Sequence, residues 1–189
     1  MNASERAYFL SFREVVKAIS STLNLHEVMD MLVRNVTEAM GLRGCAIRLL
    51  DPKTRHLDLL SAYGLSENYI EKGPVRADQS IAEAMKGRTV CIRDATKDER
   101  TQYRQEAIAE GIASIVSVPL ALKGRIIGVM RIYTSETRDF SPDELEFAES
   151  LAEIGAIAIE NARLYERVKK DYEDVIGDIH ALTDYRRSI

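Results

Sequence analysis

Apolar residues recur at intervals of three and four along the first part of the chain, which is the period of an amphipathic helix. A second stripe of this kind runs from Leu25 to Met40, and Gly41 follows it as an expected helix end. Asn24 and Glu27 match an N-terminal cap with a reciprocal acid. The pattern predicts two consecutive helices. The residues of the first stripe are Phe9, Phe12, Val16, Ile19 and Leu23.

Shorter apolar runs in the middle of the chain have the length and the boundaries of β-strands. The last two runs fold about a turn at Lys123-Gly124. Short helices are expected between the strands, one capped by Asp78 and ended by Gly87, and one over residues 103–110. The predicted strands are residues 45–50, 57–62 and 89–93 and the two arms of 114–133.

A long helix is predicted at the C-terminal end. Ser141 can cap it, Pro142 suits its first turn, and Glu144 can bond back to the cap. The apolar spacing then alternates between four and three, which is typical of a coiled-coil seam. This seam predicts a homodimer formed through the terminal helices. Its residues are Phe147, Leu151, Ile154, Ala158, Asn161, Tyr165, Val168, Tyr172, Val175, Ile179 and Leu182.

The order of these elements indicates the fold class. Two helices, then strands with short helices between them, then one long helix are typical of an α+β domain with an antiparallel sheet and helices on one face. The chain has 189 residues, of which 46% are hydrophobic and 30% charged, so it can bury a core.

Composition and motifs exclude several classes of function. The net charge of −4 argues against nucleic-acid binding, and no apolar run approaches a membrane span or a secretion signal. Cys45 and Cys91 are far apart, which favours reduced thiols in a cytoplasmic protein. Nucleophile-elbow, phosphate-loop and zinc-ligand spacings are missing. We therefore expect no catalytic residue, no metal site and no enzymatic activity.

Three segments together resemble the GAF family, the small-molecule sensor domain of signalling proteins. They read ISSTLNLHEVMDMLVRNVTEAMGL, GIASIVSVPLALKGRIIGVMRIY and DFSPDELEFAESLAEIGAIAIENARLYERV. The resemblance implies a central antiparallel sheet of five or six strands, terminal helices on one face, and a ligand pocket on the other. It also implies dimers. On this basis we divide the chain into an N-terminal dimer-contact helix at 1–23, a GAF-like sensory domain at 24–165, and a coiled-coil extension at 166–189.

The ligand classes of this family find no clear match, so the cofactor is left open. Phe140 is followed by only two residues before Asp143-Glu144, and the Asn-Lys pair of members that bind cyclic nucleotides is missing upstream. Neither cysteine has the setting of a bilin attachment site. The cysteine-bearing motifs of the branch that reduces methionine sulfoxide are missing too. Of the histidines, only His56 could face a pocket as a haem ligand.

Two arginines interrupt otherwise apolar strands. Strand alternation places Arg131 on one face with Ile127, Val129 and Tyr133, and Arg48 on one face with Ala46 and Leu50. In the family the first and last strands are neighbours, which implies that both guanidinium groups lie together on the pocket face. The candidate ligand-binding residues are Arg48, Arg131, Tyr133, Tyr63, Ser117 and Asp94.

The arginine pair has two interpretations. A guanidinium is a bidentate donor matched to carboxylate or phosphate, so the pair could bind an anionic ligand. Alternatively the arginines pair internally with Asp58, Glu83 or Asp94, or reach solvent along the sheet. Both interpretations stay open from the sequence alone.

Two functions follow from these alternatives. The chain is expected to be a sensory module of a bacterial regulator that binds a small molecule and passes its state to the dimeric C-terminal helix. Otherwise it is a ligand-free dimerisation or connector module of a signalling protein. A polar cavity on the pocket face favours the sensor, and a closed apolar filling favours the connector.

Overall fold

The structure is a computed structural model that describes residues 3–22, 24–76 and 81–187, with side chains described for 4–22, 24–76 and 81–176. The predicted roles of Leu23, Asp78, Ile179 and Leu182 lie outside the described residues or side chains. The helices are α1 (Ala3–Ser21), α2 (Leu25–Ala39), α3 (Glu67–Ile70), α4 (Arg104–Glu110) and α5 (Pro142–Arg187), with a 3₁₀ turn at Ala84–Lys86. The strands are β1 (Gly44–Leu50), β2 (His56–Tyr63), β3 (Val75–Arg76), β4 (Val90–Ile92), β5 (Ser114–Leu122) and β6 (Arg125–Thr134).

The strands form one six-stranded antiparallel sheet in the order β3-β2-β1-β6-β5-β4. This confirms the α+β fold class, and it confirms that the first and last strands pair at the centre. In that central ladder Ala46 lies opposite Arg131, and Arg48 lies opposite Val129. The Ile47–Met130 pair lies between these two, so the ladder brings the two arginines to alternate pairs on the same face of the sheet.

The helices α1, α2 and α5 cover one face of the sheet and enclose the main core. Tyr8 of α1 stacks on Phe147 of α5 with ring centroids 4.4 Å apart. Burial of each large apolar side chain stabilises the fold by roughly 1.5–3 kcal/mol. Members of this core include Met29, Leu32, Val36, Cys45, Ile47, Val116, Leu120, Met130, Ile132, Leu151 and Ile159.

The predicted caps have the expected chemistry. Asn24 accepts hydrogen bonds from the backbone N–H groups of His26 and Glu27, and its side-chain amide donates to Glu27. At the start of α5, Ser141 Oγ accepts from Glu144 N at 3.2 Å, while Glu144 Oε2 accepts from Ser141 N at 2.8 Å. This reciprocal cap fixes where the long helix begins.

The prediction that successive side chains alternate strictly between the two faces of the sheet is wrong at the start of β6. Ile127 packs in the helix-side core, and Ile126 turns to the other face, where its Cδ1 lies 3.8 Å from the position of a Cβ at Gly87. The cause is a register irregularity between Leu120 and Ala121, which shifts the pairing of β5 with β6 by one residue. Val129, Arg131 and the residues after them keep the predicted faces.

The long helix has two halves with different surroundings. Phe147, Leu151 and Ala158 are buried against the chain's own core, whereas the second half is exposed. There Val168 is 65% exposed and Tyr172 is 66% exposed to solvent. The long helix is confirmed, and its pairing as a coiled coil stays a prediction. In the described part of the chain, no helix has the length and apolar character to cross a membrane.

Candidate functional site

The second face of the sheet is covered by α3, α4 and the connections around them. It carries its own small core, separate from the helix-side core, which explains why this face is closed. The residues of this second core are Ala46, Tyr69, Ile92, Ala95, Ala107, Ile112, Ile115 and Tyr133. Helix α3 in this cover and strand β3 at the edge of the sheet were not predicted from the sequence because both are very short.

Arg48 and Arg131 lie on this second face, beneath the cover. Their exposed fractions are only 5% and 3%. Nη1 of Arg48 donates to the carbonyl oxygen of Leu57 at 3.2 Å, but the Nε atoms of both arginines have no hydrogen-bond partner. Burial lowers the pKa of Arg48, Tyr133 opposes this effect, and the neighbouring Arg131 lowers the pKa further. The two groups are therefore buried cations with spare donors.

The expected internal partners of the arginines are engaged elsewhere. Glu83 pairs with Lys86 and Arg88 in the 3₁₀ turn. Asp94 accepts from the Thr96 backbone at 3.1 Å and pairs with Lys97 at 3.2 Å, so this carboxylate serves its own turn.

Asp94 therefore bonds within its own turn, the lowered pKa of its carboxyl is due first to Thr96, and its place in the site stays a prediction. Asp58 is exposed on β2. Among the described residues, no carboxylate forms an ion pair with Arg48 or Arg131.

A third cation, Lys72, belongs to the same cluster. It follows α3, and its Nζ donates to the carbonyl oxygen of Tyr69 at 2.6 Å. Nζ also lies 3.6 Å from the centroid of the Tyr69 ring. Burial lowers the pKa of Lys72 to about 7, and the positive charges of Arg48 and Arg131 contribute next. The site thus concentrates positive charge in a region of low dielectric.

Tyrosines fill the space around these cations. Tyr133, a predicted site residue, is buried beside Arg131, whose Cζ lies 5.6 Å from the Tyr133 ring centroid. Tyr69 meets Tyr133 edge to face at 5.6 Å between centroids. Burial is the first cause of the raised pKa of Tyr69. These hydroxyl groups supply neutral hydrogen-bonding atoms within a cationic region.

Two further predicted residues have different outcomes. Ser117 is buried and lies directly opposite Arg131 in the β5–β6 ladder, so it belongs to the cluster. Tyr63 does not, because it pairs with Cys45, whose side chain is on the helix side. Its hydroxyl donates to Glu38 of α2 at 3.2 Å, and its ring packs under Arg34. Tyr63 therefore lies on the helix side of the sheet.

The cover is tied down by one buried carboxylate. Glu110, at the end of α4, pairs with Arg43 at 2.8 Å and accepts from the backbone N–H of Ser66 at 2.9 Å. The hydroxyl of Ser66 also donates to Glu110 and accepts from Tyr69 N, which caps α3. Glu110 therefore joins α4, α3 and the start of β1 into one unit.

A second tie holds the segment that carries Lys72. The hydroxyl of Tyr103 donates to the carbonyl oxygen of Pro74 at 2.8 Å. Gly73 has φ of +126° and a Cβ there would lie 2.7 Å from the Tyr103 oxygen, so only glycine fits beneath this ring. Lys72, Tyr69 and Tyr103 were not predicted as site residues, although residues 69–74, YIEKGP, combine an aromatic, a cationic and two turn residues.

The chemistry available is binding rather than bond making. Cys45 lies on the helix side with a pKa raised by burial, and the pKa of Cys91 is raised for the same first reason. In both cysteines the raised pKa disfavours the thiolate form. The described residues contain no acidic or histidine cluster suited to a metal ion. Guanidinium, ammonium and hydroxyl donors on one face are suited to an oxyanion.

Comparison with known proteins gives a consistent family. A family model described as a GAF domain matches residues 22–160. A methyl sulfide methyltransferase-associated sensor of Methanosarcina acetivorans is 28% identical over 169 residues, covering 85% of this chain and 17% of that protein. The chain spans between 17% and 28% of the length of the curated relatives that it matches.

Solved structures show the same fold. The GAF domain of a phosphoenolpyruvate-protein phosphotransferase from Coxiella burnetii has a TM-score of 0.77 at 18% identity, covering 88% of this chain and 99% of that chain. A free methionine-R-sulfoxide reductase from Neisseria meningitidis, solved with its substrate, has a TM-score of 0.72 at 20% identity, covering 87% and 96%. The fold alone thus accommodates proteins with and without a named enzymatic activity.

Proposed function

The chain belongs to the GAF domain family, and from this premise we propose that it is a non-catalytic sensory domain for a small anion. The anion binds at Arg48, Arg131 and Lys72, and its presence is passed to a dimeric α5. The family relation to a named sensor supports a regulatory role. Because the curated relatives are several times longer, the effector that α5 acts on belongs to the proposal as well.

One observation carries this proposal: two arginines are almost fully buried, lack a carboxylate partner among the described residues, and keep unpartnered Nε donors. A guanidinium stays charged in proteins, so its burial costs several kcal/mol unless a counter-charge compensates. Each unpaired buried donor adds about 1–3 kcal/mol. An oxyanion between the arginines would supply both the charge and the acceptors.

The closed state of the site limits the ligand. Arg131, Tyr133 and Ser117 are all buried among the described residues, so we expect a ligand to enter when the cover formed by α3 and α4 moves. The bound molecule has few atoms, since Tyr69 and Tyr133 already fill much of the space. Such an entry step resembles lid opening in other binding proteins.

The route to α5 is short and well fixed. Ser114 is buried, and its Oγ lies 2.8 Å from the carbonyl oxygens of both Arg93 and Glu136. It also accepts from the backbone N–H of Arg138 at 3.0 Å, and Arg138 pairs with Glu144 in the first turn of α5. A shift of β6 at Tyr133 would therefore reach α5 through this connection.

The dimer is the other half of the proposal. Apolar side chains of α1 and of the second half of α5 remain exposed on the single chain, at heptad spacing on α5. A second copy would cover them, since each side chain contributes roughly 1.5–3 kcal/mol when fully buried. These residues are Phe9, Val16, Ile157, Leu164, Tyr165, Val168, Tyr172 and Val175.

A second candidate function is a ligand-free connector. The observation that favours it is the filling of the second face by Tyr69, Tyr133 and small apolar residues. Under this alternative the cationic cluster binds no ligand, and the dimeric helix alone provides the connecting function. For either function we propose a cytoplasmic location, which the free thiols Cys45 and Cys91 support.

A thermal-shift screen separates the two. Carboxylates and inorganic oxyanions are added at constant ionic strength, and a ligand at 100 times its Kd stabilises the folded state by about 2.7 kcal/mol. Arg131→Ala should abolish the shift, whereas Arg125→Ala, which alters an exposed arginine of the same strand, should keep it. Failure of every anion to shift the wild type would favour the connector.

A further inference from the structure

We propose that the end of the sheet where two hairpin turns meet is a docking surface for an acidic segment of a partner protein. The surface, here called the hairpin surface, consists of the β1–β2 turn, the β5–β6 turn and the side of α5 at Arg163. An apolar side chain of the partner segment occupies a small groove between the turns. None of the residues that line this groove belongs to the cationic cluster, so the inference does not depend on the anion site.

The topology of the sheet brings the two turns together. Its order places the β1–β2 and β5–β6 hairpins side by side, and β1 and β6 are antiparallel neighbours with Leu49 opposite Gly128. The end of β1 and the start of β6 therefore lie at the same edge. The first turn is closed by the Asp51 N–H, which donates to the carbonyl oxygen of His56 at 2.9 Å, and the second turn spans residues 123–124.

Each turn presents a pair of exposed cations. The first reads Lys53-Thr54-Arg55 and the second reads Lys123-Gly124-Arg125. Arg55 has φ of 60° and Lys123 has φ of 50°, which is the left-handed conformation that favours glycine. The backbone therefore gives no reason for a cation at either position, and glycine would fit both with less strain.

The two nearby carboxylates neutralise this charge only in part. Asp51 is turned to the backbone of its own turn, because its carboxylate accepts from the N–H groups of Lys53 at 2.7 Å and Thr54 at 3.3 Å. Glu160 of α5 lies 4.0 Å from Arg125, whose side chain remains 70% exposed. Arg125 is thus accessible to a second carboxylate.

The remaining cations of the hairpin surface are available to a partner. In the described part of the chain, Arg55, Lys123 and Arg163 form no ion pair. The whole chain has a net charge of −4, so this positive surface stands against the overall charge. Complementary charge guides encounter and orients a partner, which favours an acidic segment here.

The groove between the turns adds an apolar contact. Its volume of about 230 Å³ is below that of pockets for drug-sized molecules, and it suits one inserted side chain. An aliphatic side chain flanked by carboxylates would match both the groove and its cationic rim. The lining residues are Leu50, Pro52, Arg125, Ile126, Ile127 and Arg163.

The same features disfavour nucleic acids and membranes as partners. A nucleic acid needs a broad basic face, whereas the net charge of −4 repels a polyphosphate beyond this small surface. A membrane surface needs apolar side chains that project into the lipid, whereas Ile126 and Ile127 line a recess. An acidic protein segment satisfies the charge and the recess together.

Fluorescence anisotropy of the full chain with two synthetic peptides tests this. The first is a short fluorescein-labelled peptide in which glutamates flank a central pair of leucines, and the second has serines in place of the leucines and the same charge. The leucine peptide should bind, and its affinity should fall as NaCl is raised. The serine peptide should bind about tenfold more weakly, because the groove then receives no apolar side chain.

Charge reversals assign the binding to the hairpin surface. Arg55→Glu combined with Lys123→Glu should weaken binding of the leucine peptide about tenfold, and Arg163→Glu should weaken it as well. Lys17→Glu combined with Lys170→Glu makes the same change in net charge at exposed positions outside both turns and should keep the wild-type affinity. Thermal unfolding of each variant checks that the fold is retained.

Several results would overturn the inference. Among them are no binding of the leucine peptide at low salt, an unchanged affinity in the double reversal at the turns, or equal affinity for the serine peptide. A DNA duplex or phosphatidylserine vesicles that displace the peptide at a lower concentration would assign the surface to another class of partner. Loss of the wild-type mass by light scattering in the double reversal at the turns would assign it to a second copy of this chain.

Discussion

Glu110 accepts the backbone N–H of Ser66 at 2.9 Å, and this contact joins the last residue of α4 to the cap of α3. The same carboxylate pairs with Arg43 where β1 begins. The two elements that cover the cationic cluster are thus held to the sheet by one acidic side chain. A ligand that entered the cluster would have to break these contacts of Glu110 or pass beside them.

Glu110→Ala should therefore loosen the cover. It removes the carboxylate partner of the half-exposed Arg43 and of the Ser66 N–H and hydroxyl, at an expected cost of about 1–3 kcal/mol in unfolding free energy. Amide hydrogen exchange should accelerate between residues 64 and 76 while α2 stays protected. Gln105→Ala, on the exposed side of the same helix, is the control. Equal exchange in both variants would show that other contacts hold the cover.

Removal of a buried arginine should stabilise the empty protein. Arg131→Met replaces a buried, uncompensated guanidinium by an apolar side chain of similar length, and such exchanges are neutral or stabilising by about 1–4 kcal/mol. Urea unfolding without added anions measures this. Arg125→Met, at an exposed position of the same strand, should change little. A loss of several kcal/mol in Arg131→Met would mean that the guanidinium is internally compensated.

The oligomeric state can be checked on α5. Val168→Glu combined with Val175→Glu places charges in the exposed apolar stripe and should convert a dimer into a monomer, since burial of two such valines is worth about 3–6 kcal/mol. Light scattering at micromolar concentration reports the mass. Lys170→Glu, off the stripe, should leave the dimer. A wild-type monomer would contradict the coiled-coil prediction directly.

Sequence patterns predicted the scaffold better than the site. The caps at Asn24 and Ser141 and the face of Arg131 follow from local rules, because hydrogen-bonding and strand alternation act over a few residues. The inversion of Ile126 and Ile127 does not, because a bulge depends on the pairing partner. Lys72 was missed for a similar reason, since only the fold of α3 over the sheet brings it to the arginines.

Asp94 and Tyr63 lie apart from the cationic cluster for similar physical reasons. Asp94 bonds to Thr96 two positions later, and such a short turn competes with any distant arginine for its carboxylate. The face on which Tyr63 lies is set by the β1–β2 register. Neither the hydrogen bonds within a turn nor the pairing register of two strands can be read from composition or residue spacing.

Ser114→Ala should weaken the connection between the sheet and α5. The buried hydroxyl accepts from the backbone N–H of Arg138 and donates to one of the carbonyl oxygens of Arg93 and Glu136, so its loss leaves the Arg138 N–H unpaired at a cost of about 1–3 kcal/mol. Thermal unfolding should show the loss, and Ser135→Ala, an exposed neighbour, should not. An unchanged midpoint would mean that water replaces the hydroxyl.

The relay itself can be measured on the exposed half of α5. If an anion at Arg131 shifts β6, the connection fixed by Ser114 should change the register or rotation of the paired helices, and this requires differential affinity of the ligand for two states. Cysteines introduced at Val168 and at Val175, in a Cys91→Ser background because Cys91 is exposed, should cross-link between protomers at different rates with and without sulfate.

The ratio of the two cross-linking rates is the quantity to compare, since a change in overall dimer affinity changes both rates together. In an Arg131→Ala background, sulfate should leave the ratio of the two cross-linking rates unchanged. Equal ratios at saturating sulfate, with the Nε–H NMR signals of Arg48 and Arg131 shifted, would mean that the anion binds without reaching α5.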